Sequence, residues 1–374
     1  NFLQALTAQK LKTVFGLETL HWHVDDAVKK TVEWSCCYME NGNVRDCMDR
    51  QIEEFLNNHT ANIKRGLLMK KAIVTGSNGF IGSNVCKRLC ADGIKVFAVV
   101  KDENENIDKI KNLSGIEIVY CELDEIETLA DMISDRNIDV FYHFAWVGSA
   151  GLLRCDENVQ LQNALWTARA LRTADKMQCK KFVNAGSIME KETYTAVYTQ
   201  ESKPGLPYIY GAGKLIARAI CKPIANSLSI DLCWAVITNA YGVGELSPRF
   251  VNSTIRKIIA NEPLQFTAAT QNYDFIYIDD VARAFEAIGE HGKPNKEYTI
   301  GSGNARPLKE FILEMQQTLA PEAKPIFGDV PFTGVNMPLE AFDTADIETD
   351  CYFKPSVSFA KGVSKTMEWL KSLN

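Results

Sequence analysis

From residue 69 onward the chain alternates between short, almost wholly apolar runs and stretches whose apolar residues recur at helical spacing. Ala72-Ile73-Val74 is the first such run. Asn84–Ala91 (NVCKRLCA) follows, with Val85, Cys86, Leu89 and Cys90 on one helical face. Lys95–Val100 is apolar again. Runs of this length, unbroken by polar residues, fit strands covered on both faces, as in a parallel sheet. Strands are expected near 71–75, 95–100, 116–120, 139–144, 181–186 and 231–237. Ile276–Ile278 is expected to return to the sheet region, with Asp280 capping a helix entered at Val281.

Residues 1–68 follow another pattern. Lys30-Thr-Val-Glu-Trp34 recurs as Lys365-Thr-Met-Glu-Trp369, and Phe15-Gly-Leu before it parallels Phe353-Lys-Pro. The segment thus repeats the C-terminal end of the chain without the core that precedes that end. Val44, Met48, Ile52 and Phe55 mark a second amphipathic helix, joined through an Asn41-Gly42-Asn43 turn. Sixty-eight residues without a core bury little surface, so a marginally ordered helical extension is expected. Met69-Lys-Lys reads like the start of a second protein. A regulatory or dimerising helical arm is the rival reading.

The glycines after the first strand change the picture from architecture to chemistry. Gly76, Gly79 and Gly82 are spaced GxxGxxG between strand and helix. The first glycine permits a tight turn, the second close approach of backbone to a pyrophosphate, and the third close packing of helix on strand. The helix N-terminus then offers unpaired N–H groups to the phosphates. This strand-turn-helix-strand context predicts a doubly wound α/β fold of the Rossmann type over residues 69–240. A dinucleotide lies at the end of its first strand, and residues 241–374 form mainly a smaller substrate-binding lobe. The second strand ends at Val100 and is followed by Lys101, where NAD sites usually carry an acid for the ribose hydroxyls. A cation there favours NADP over NAD, although Lys101 also reads as a solvated loop lysine.

Tyr210-Gly-Ala-Gly-Lys214 places a phenol and an ammonium four residues apart, on one face of the helix expected through 214–221. A free tyrosine titrates near pH 10, and a neighbouring cation lowers that toward a useful range. Such a tyrosine can exchange the proton of a sugar hydroxyl while hydride moves to or from nicotinamide. Ser187, closing the apolar strand Phe182–Ser187, is the candidate third group on the same oxygen.

Charge and cysteine usage narrow the field. The formal net charge is −6 with no dense Lys/Arg block, which argues against nucleic acid or an anionic membrane as partner. No apolar run is long enough to span a bilayer, and the first 20 residues lack the core of a signal peptide. Eleven scattered cysteines without a CxxC pair suggest reduced thiols and a cytoplasmic location. His21 and His23 lack companion ligands at metal spacing, so no metal site is expected.

Taken in order, TGSNGFIG, HFA (143–145), AGS (185–187), PYIYGAGK (207–214), NAYG (239–242) and YDFIYIDDVARAF (273–285) resemble the extended short-chain dehydrogenase/reductase family, within it the nucleotide-sugar epimerases and dehydratases. The resemblance runs from Met69 to the C-terminus. It implies catalytic Ser187, Tyr210 and Lys214, the last two also touching the cofactor. Phe80 and Ile81 fall in the pyrophosphate turn. Glu122 and Leu123 stand where the family contacts adenine, Ala145 lines the cofactor and Asn163 sits on the central helix. Asn239 is implied as a sugar-nucleotide contact. A homodimer through a four-helix bundle is implied too.

Two departures count. The family's dehydratases follow Thr with an Asp-Glu acid/base pair, and here Ile188-Met189 follow Ser187, which argues against a dehydratase. Tyr273 stands where many members place an arginine for the substrate diphosphate, and Arg249 is the candidate replacement. An epimerase and a 4-keto reductase both remain open, as does a non-catalytic NAD(P)-binding module. Residues 1–68 resemble the C-terminal tail of a CDP-glucose 4,6-dehydratase.

Overall fold

The computed structural model describes residues 24–40, 42–47, 49, 69–228, 230–332 and 334–373. The chain divides into two compact units, Asn1–Leu68 and Met69–Asn374.

In the first unit, helix α1 (Val24–Met39) carries the first KTxEW copy. Trp34 and Tyr38, one turn apart, stack with centroids 5.8 Å apart. The helix stops where Gly42 N–H donates to the Cys37 carbonyl. Asn43 then caps the turn at 44–47, its side chain accepting from Arg45 N–H and Asp46 N–H. Met48, Ile52, Phe55, His21 and His23 lie outside the described residues.

The second unit is built on seven parallel strands: β1 (Lys71–Thr75), β2 (Lys95–Val100), β3 (Ile116–Tyr120), β4 (Val140–His143), β5 (Lys181–Ser187), β6 (Asp231–Ile237) and β11 (Lys296–Ile300), ordered β11-β6-β5-β4-β1-β2-β3. The six expected strands all form. Side-chain alternation sends Phe141, Phe182 and Trp234 to one face, where they meet α3 (Glu157–Lys176) and α5 (Tyr208–Leu228) through Leu171, Ala217 and Cys221. Tyr142 points to the other face and meets Phe285 edge-on. There α2 (Phe80–Ala91) and α7 (Ile278–His291) are joined by an Arg88–Glu286 ion pair of 2.6 Å. Each fully buried aromatic contributes roughly 1.5–3 kcal/mol of transfer free energy. Helix α5 starts before the expected 214 and runs on through Pro223, held by buried Cys221 and Ala225. The second KTxEW copy lies in α10 (Phe359–Ser372), so both copies are helical.

Two expectations for the C-terminal part are corrected. The segment at 276–278 does not rejoin the main sheet. Its strand, β10 (Phe275–Tyr277), pairs with β7 (Asn239–Tyr241) in a separate two-stranded sheet. The strand that does rejoin is β11, paired to β6 at the sheet edge. Its first two residues are half-exposed Lys296 and Glu297, so it lacks the unbroken apolar run of an inner strand. Asp280 does not cap α7, which begins at Ile278. Its buried carboxylate instead accepts the N–H groups of Ser356 and Val357, at 2.9 and 2.8 Å, pinning the segment before α10. The lobe also contains α6 (Phe250–Ile259), α8 (Leu308–Leu319) and α9 (Ala345–Cys351). Two short pairs complete it: β8 (Gln265–Phe266) with β13 (Ile326–Phe327), and β9 (Asn272–Tyr273) with β12 (Arg306–Pro307).

Candidate active site

Strand order reverses at β1, which lies between β4 and β2, and the loops after β1 and β4 diverge there. Such a crevice is where open α/β sheets take their ligands. Gly76, at φ +64°, turns the chain out of β1; a Cβ on it would lie 2.8 Å from the Ala145 nitrogen. A Cβ on Gly82 would run into the Gly76 carbonyl. Ser77 ties the turn to β2 through its hydroxyl on the Val99 carbonyl at 2.9 Å. No side chain caps α2 at Gly79, which leaves its first N–H groups for an anion.

Three adjoining clefts follow. The first, of about 240 Å³, is lined by Gly76, Val100, Lys101, Glu105, Glu122, Leu123, Ala145 and Trp146 among others. The second, of about 310 Å³, shares Gly76, Ala145 and Trp146 with it and adds Gly79, Phe80, Ile81, Gly82, Tyr210, Lys214 and Arg249. The third, of about 280 Å³, shares Tyr210 and Arg249 with the second and adds Ser187, Glu192, Asn239, Tyr273 and Arg154. Tyr210 therefore lies where the glycine-lined cleft meets the lobe pocket.

Helix α5 supplies Tyr210 and Lys214, and the end of β5 supplies Ser187. Lys214 is buried; its ammonium donates to the Ala185 carbonyl at 2.8 Å and lies 3.7 Å over the Trp146 ring. Burial draws its pKa down, and the carboxylate of Glu190 opposes that shift. Burial likewise pushes the Tyr210 phenol up; Arg154, Arg249 and the Ser187 hydroxyl pull it back, and Glu190 adds to the rise. The Lys214 nitrogen is 6.0 Å from the Tyr210 ring centroid, whereas the Arg154 guanidinium is 4.3 Å from it.

Other expected residues have distinct placements. Asn239 lines the lobe pocket and donates to the Asp274 carbonyl at 3.0 Å. Arg249 faces both inner clefts and pairs with Glu245 at 3.6 Å. Lys101 is exposed beside Asp102 at 3.6 Å. Asn163 is turned to the loop after β4: it accepts from Val147 N–H and donates to the Val147 and Val159 carbonyls. Ile188 packs on Met337 and Phe342. Sequence reading passed over Arg154, Trp146, Glu190 and Glu192. Glu190 is 1% exposed and Glu192 faces the pocket. Nothing in local periodicity marks them, because their burial comes from β6 and the lobe.

The model of the NAD dependent epimerase/dehydratase family matches residues 72–301. The chain belongs to this family. Among curated members, the CDP-abequose synthase of Salmonella typhimurium is 25% identical over 315 residues, which cover 81% of this chain and 99% of that protein. The UDP-glucose 4-epimerase of Mycolicibacterium smegmatis is 23% identical over 318 residues, with coverage of 81% and 99%. Among solved structures, the UDP-N-acetylglucosamine 4-epimerase of Methanobrevibacter ruminantium, in complex with UDP-N-acetylmuramic acid, superposes with a TM-score of 0.69 at 20% identity, covering 82% of this chain and 99% of its own. The UDP-glucuronic acid 4-epimerase of Bacillus cereus, in complex with NAD, gives 0.65 at 20% identity, covering 81% and 99%. These structural likenesses concern the family's fold.

Proposed function

We propose that the protein is an NAD(P)-dependent nucleotide-sugar epimerase or 4-keto reductase, moving hydride at sugar C4. One observation carries the reading: Tyr210 stands at the junction of the glycine-lined cleft and the lobe pocket, with Ser187 and Lys214 beside it. The glycine turn and the start of α2 would hold the dinucleotide's pyrophosphate, and Glu122 and Leu123 its adenine end. The cofactor, when bound, accepts or supplies hydride. Tyr210 takes or returns the hydroxyl proton while Ser187 hydrogen-bonds the same oxygen. Asn239 and Arg249 would hold the sugar nucleotide. The family membership and the nucleotide-sugar names of the similar proteins support this substrate class. A dehydratase is disfavoured, since Ile188 and Met189 cannot carry a proton.

Lys101 is the cation lining the outer cleft, which favours NADP, although Glu105 and Glu122 line it too. Leu161 and Leu165 on α3 and Ile216 on α5 are exposed apolar side chains that suit pairing in a homodimer. No helix among the described residues is long and apolar enough to cross a membrane, and the cysteines from Cys86 to Cys351 form no disulfide. A cytoplasmic site of action is part of this proposal. Residues 1–68 are proposed as a segment akin to a dehydratase tail, joined to a cofactor-binding domain and a substrate-binding lobe divided near residue 240.

The test is incubation with nucleotide sugars and their 4-keto forms. Stoichiometric NADPH oxidation identifies a reductase, and product without net cofactor change an epimerase. Tyr210→Phe should cost roughly 10²–10⁴ in kcat, and an unchanged rate would overturn the mechanism.

A further inference from the structure

The reaction proposed above needs Lys214 protonated, since only the cation acidifies Tyr210. Its surroundings oppose that charge. The side chain is buried, its ammonium donates to the Ala185 carbonyl at 2.8 Å, and the Trp146 ring lies 3.7 Å away. Neither a carbonyl nor an indole face supplies a full negative charge, and a buried ammonium without one gives up its proton. A carboxylate buried to a similar degree is held two residues further along β5. Glu190 accepts the Ser187 N–H at 2.8 Å and the Trp234 N–H at 2.9 Å. Lys214 and Glu190 thus fasten to the same strand end, at Ala185 and Ser187.

Their approach is built into the chain. Glu190 lies in the first turn of α4 (Met189–Tyr198). Helix α4 packs on α5 at Gly211, where a Cβ would run into the Met189 carbonyl and the Thr193 side chain. Gly211 stands between Tyr210 and Lys214 in the chain. The segment that carries the phenol and the ammonium therefore also admits the helix that brings the carboxylate.

We propose that Glu190 is a positioning residue of the acid/base centre: its carboxylate is the buried counter-charge that keeps Lys214 protonated, and the same group fixes the backbone of Ser187. It acts through those two residues, and the inference rests on the roles proposed for them above.

The charges on each side agree. Around Lys214 stand Glu190 from α4, His143 from β4, Trp146 from the loop after β4 and Tyr210 from its own helix. His143 is no rival cation, because burial draws its ring down to about 3 and the charge of Lys214 adds to that. Burial draws Lys214 down, and Glu190 raises it back. Around Glu190 stand Ser187 from β5, Trp234 from β6, and Lys214 and Arg218 from α5. Burial pushes its carboxyl up; the Ser187 N–H, Lys214, Trp234 and Arg218 draw it down. The direct influence of Glu190 on Tyr210 is unfavourable and follows those of burial, Arg154, Arg249 and Ser187. Its benefit runs through Lys214. Two buried opposite charges support one another, and removing one leaves the other uncompensated.

The experiment reads the lysine with no sugar present. The full chain, labelled with lysine carrying 13C at Cε, is titrated by NMR, with Lys214 assigned by Lys214→Met. Glu190→Gln keeps an oxygen for the Ser187 and Trp234 N–H groups but loses the charge, and should lower the Lys214 midpoint by about one unit. Glu190→Asp keeps the charge on a shorter arm and should lower it less than half as far. The coupling is reciprocal. Lys214→Met should therefore raise the midpoint of the Glu190 carboxyl, read at 13Cδ and assigned by Glu190→Asp, by about one unit as well. A Lys214 midpoint unchanged in Glu190→Gln, one lowered as far in Glu190→Asp, or a Glu190 midpoint unchanged in Lys214→Met overturns the proposal. No substrate takes part, so the titrations can hold where hydride transfer at C4 fails, and the Tyr210→Phe test can hold where they fail.

Discussion

Gly186 leaves the space that the Glu190 carboxylate fills. A Cβ on Gly186 would lie 2.8 Å from Glu190 Oε1 and 2.6 Å from the Trp234 indole nitrogen. That carboxylate accepts the Ser187 N–H at 2.8 Å and the Trp234 N–H at 2.9 Å, so it fixes the end of β5 where Ser187 must stand. Gly186→Ala should therefore destabilise the protein by about 1–3 kcal/mol through overpacking and displace Ser187. Glu190→Leu removes the acceptor from two buried donors, at about 1–3 kcal/mol each. Denaturant unfolding checks both, and wild-type stability in either variant would refute the packing argument.

Gly76 sits at φ +64° with the Ala145 backbone where a side chain would go. Gly76→Ala should lose roughly 1–2 kcal/mol to the left-handed conformation alone, and the shifted turn should weaken dinucleotide binding. Fluorescence titration with NADH and NADPH measures this. Binding equal to wild type would remove the glycine turn from the cofactor site.

Lys101 is the position that separates the two cofactors. Lys101→Ala should weaken NADP binding about fivefold, an exposed charge contact of ~1 kcal/mol, and leave NAD binding unchanged. Calorimetric affinities for both cofactors decide it. Equal effects on the two would mean that Lys101 is a loop lysine only.

Asp350 fastens α9 to the sheet edge. It pairs with Lys293 and Lys296, each at 2.6 Å, and accepts from the Tyr298 hydroxyl at 3.1 Å. These bonds hold its carboxyl at about 2, below the ordinary 3.8. A depressed carboxyl pKa adds stability that is complete above the unfolded value and lost as pH falls through the folded one. The gap in thermal midpoint between wild type and Asp350→Asn should thus be full at neutral pH and shrink as pH falls from about 4 to about 2. A gap that stays constant over that range would show that Asp350 works by packing alone.

The sequence by itself determined the framework. The five inner strands could be read because burial on both faces demands largely apolar runs, the edge strand β3 because Ile116, Ile118 and Val119 still mark it, and Gly76, Gly79 and Gly82 because a tight turn and a close helix tolerate no side chain. Tyr210 and Lys214 share a helix face by spacing alone. The edge strand β11 escaped notice because an edge relaxes that demand, and Asp280 misled because a buried carboxylate can bind a distant segment as readily as a helix end. What only the tertiary structure decided is which charges surround the phenol. Arg154 and Tyr210 are 56 positions apart in the chain, and they meet because the loop after β4 folds over α5. Electrostatic partners are set by distance through space, and a one-dimensional pattern carries no record of that distance until packing supplies it.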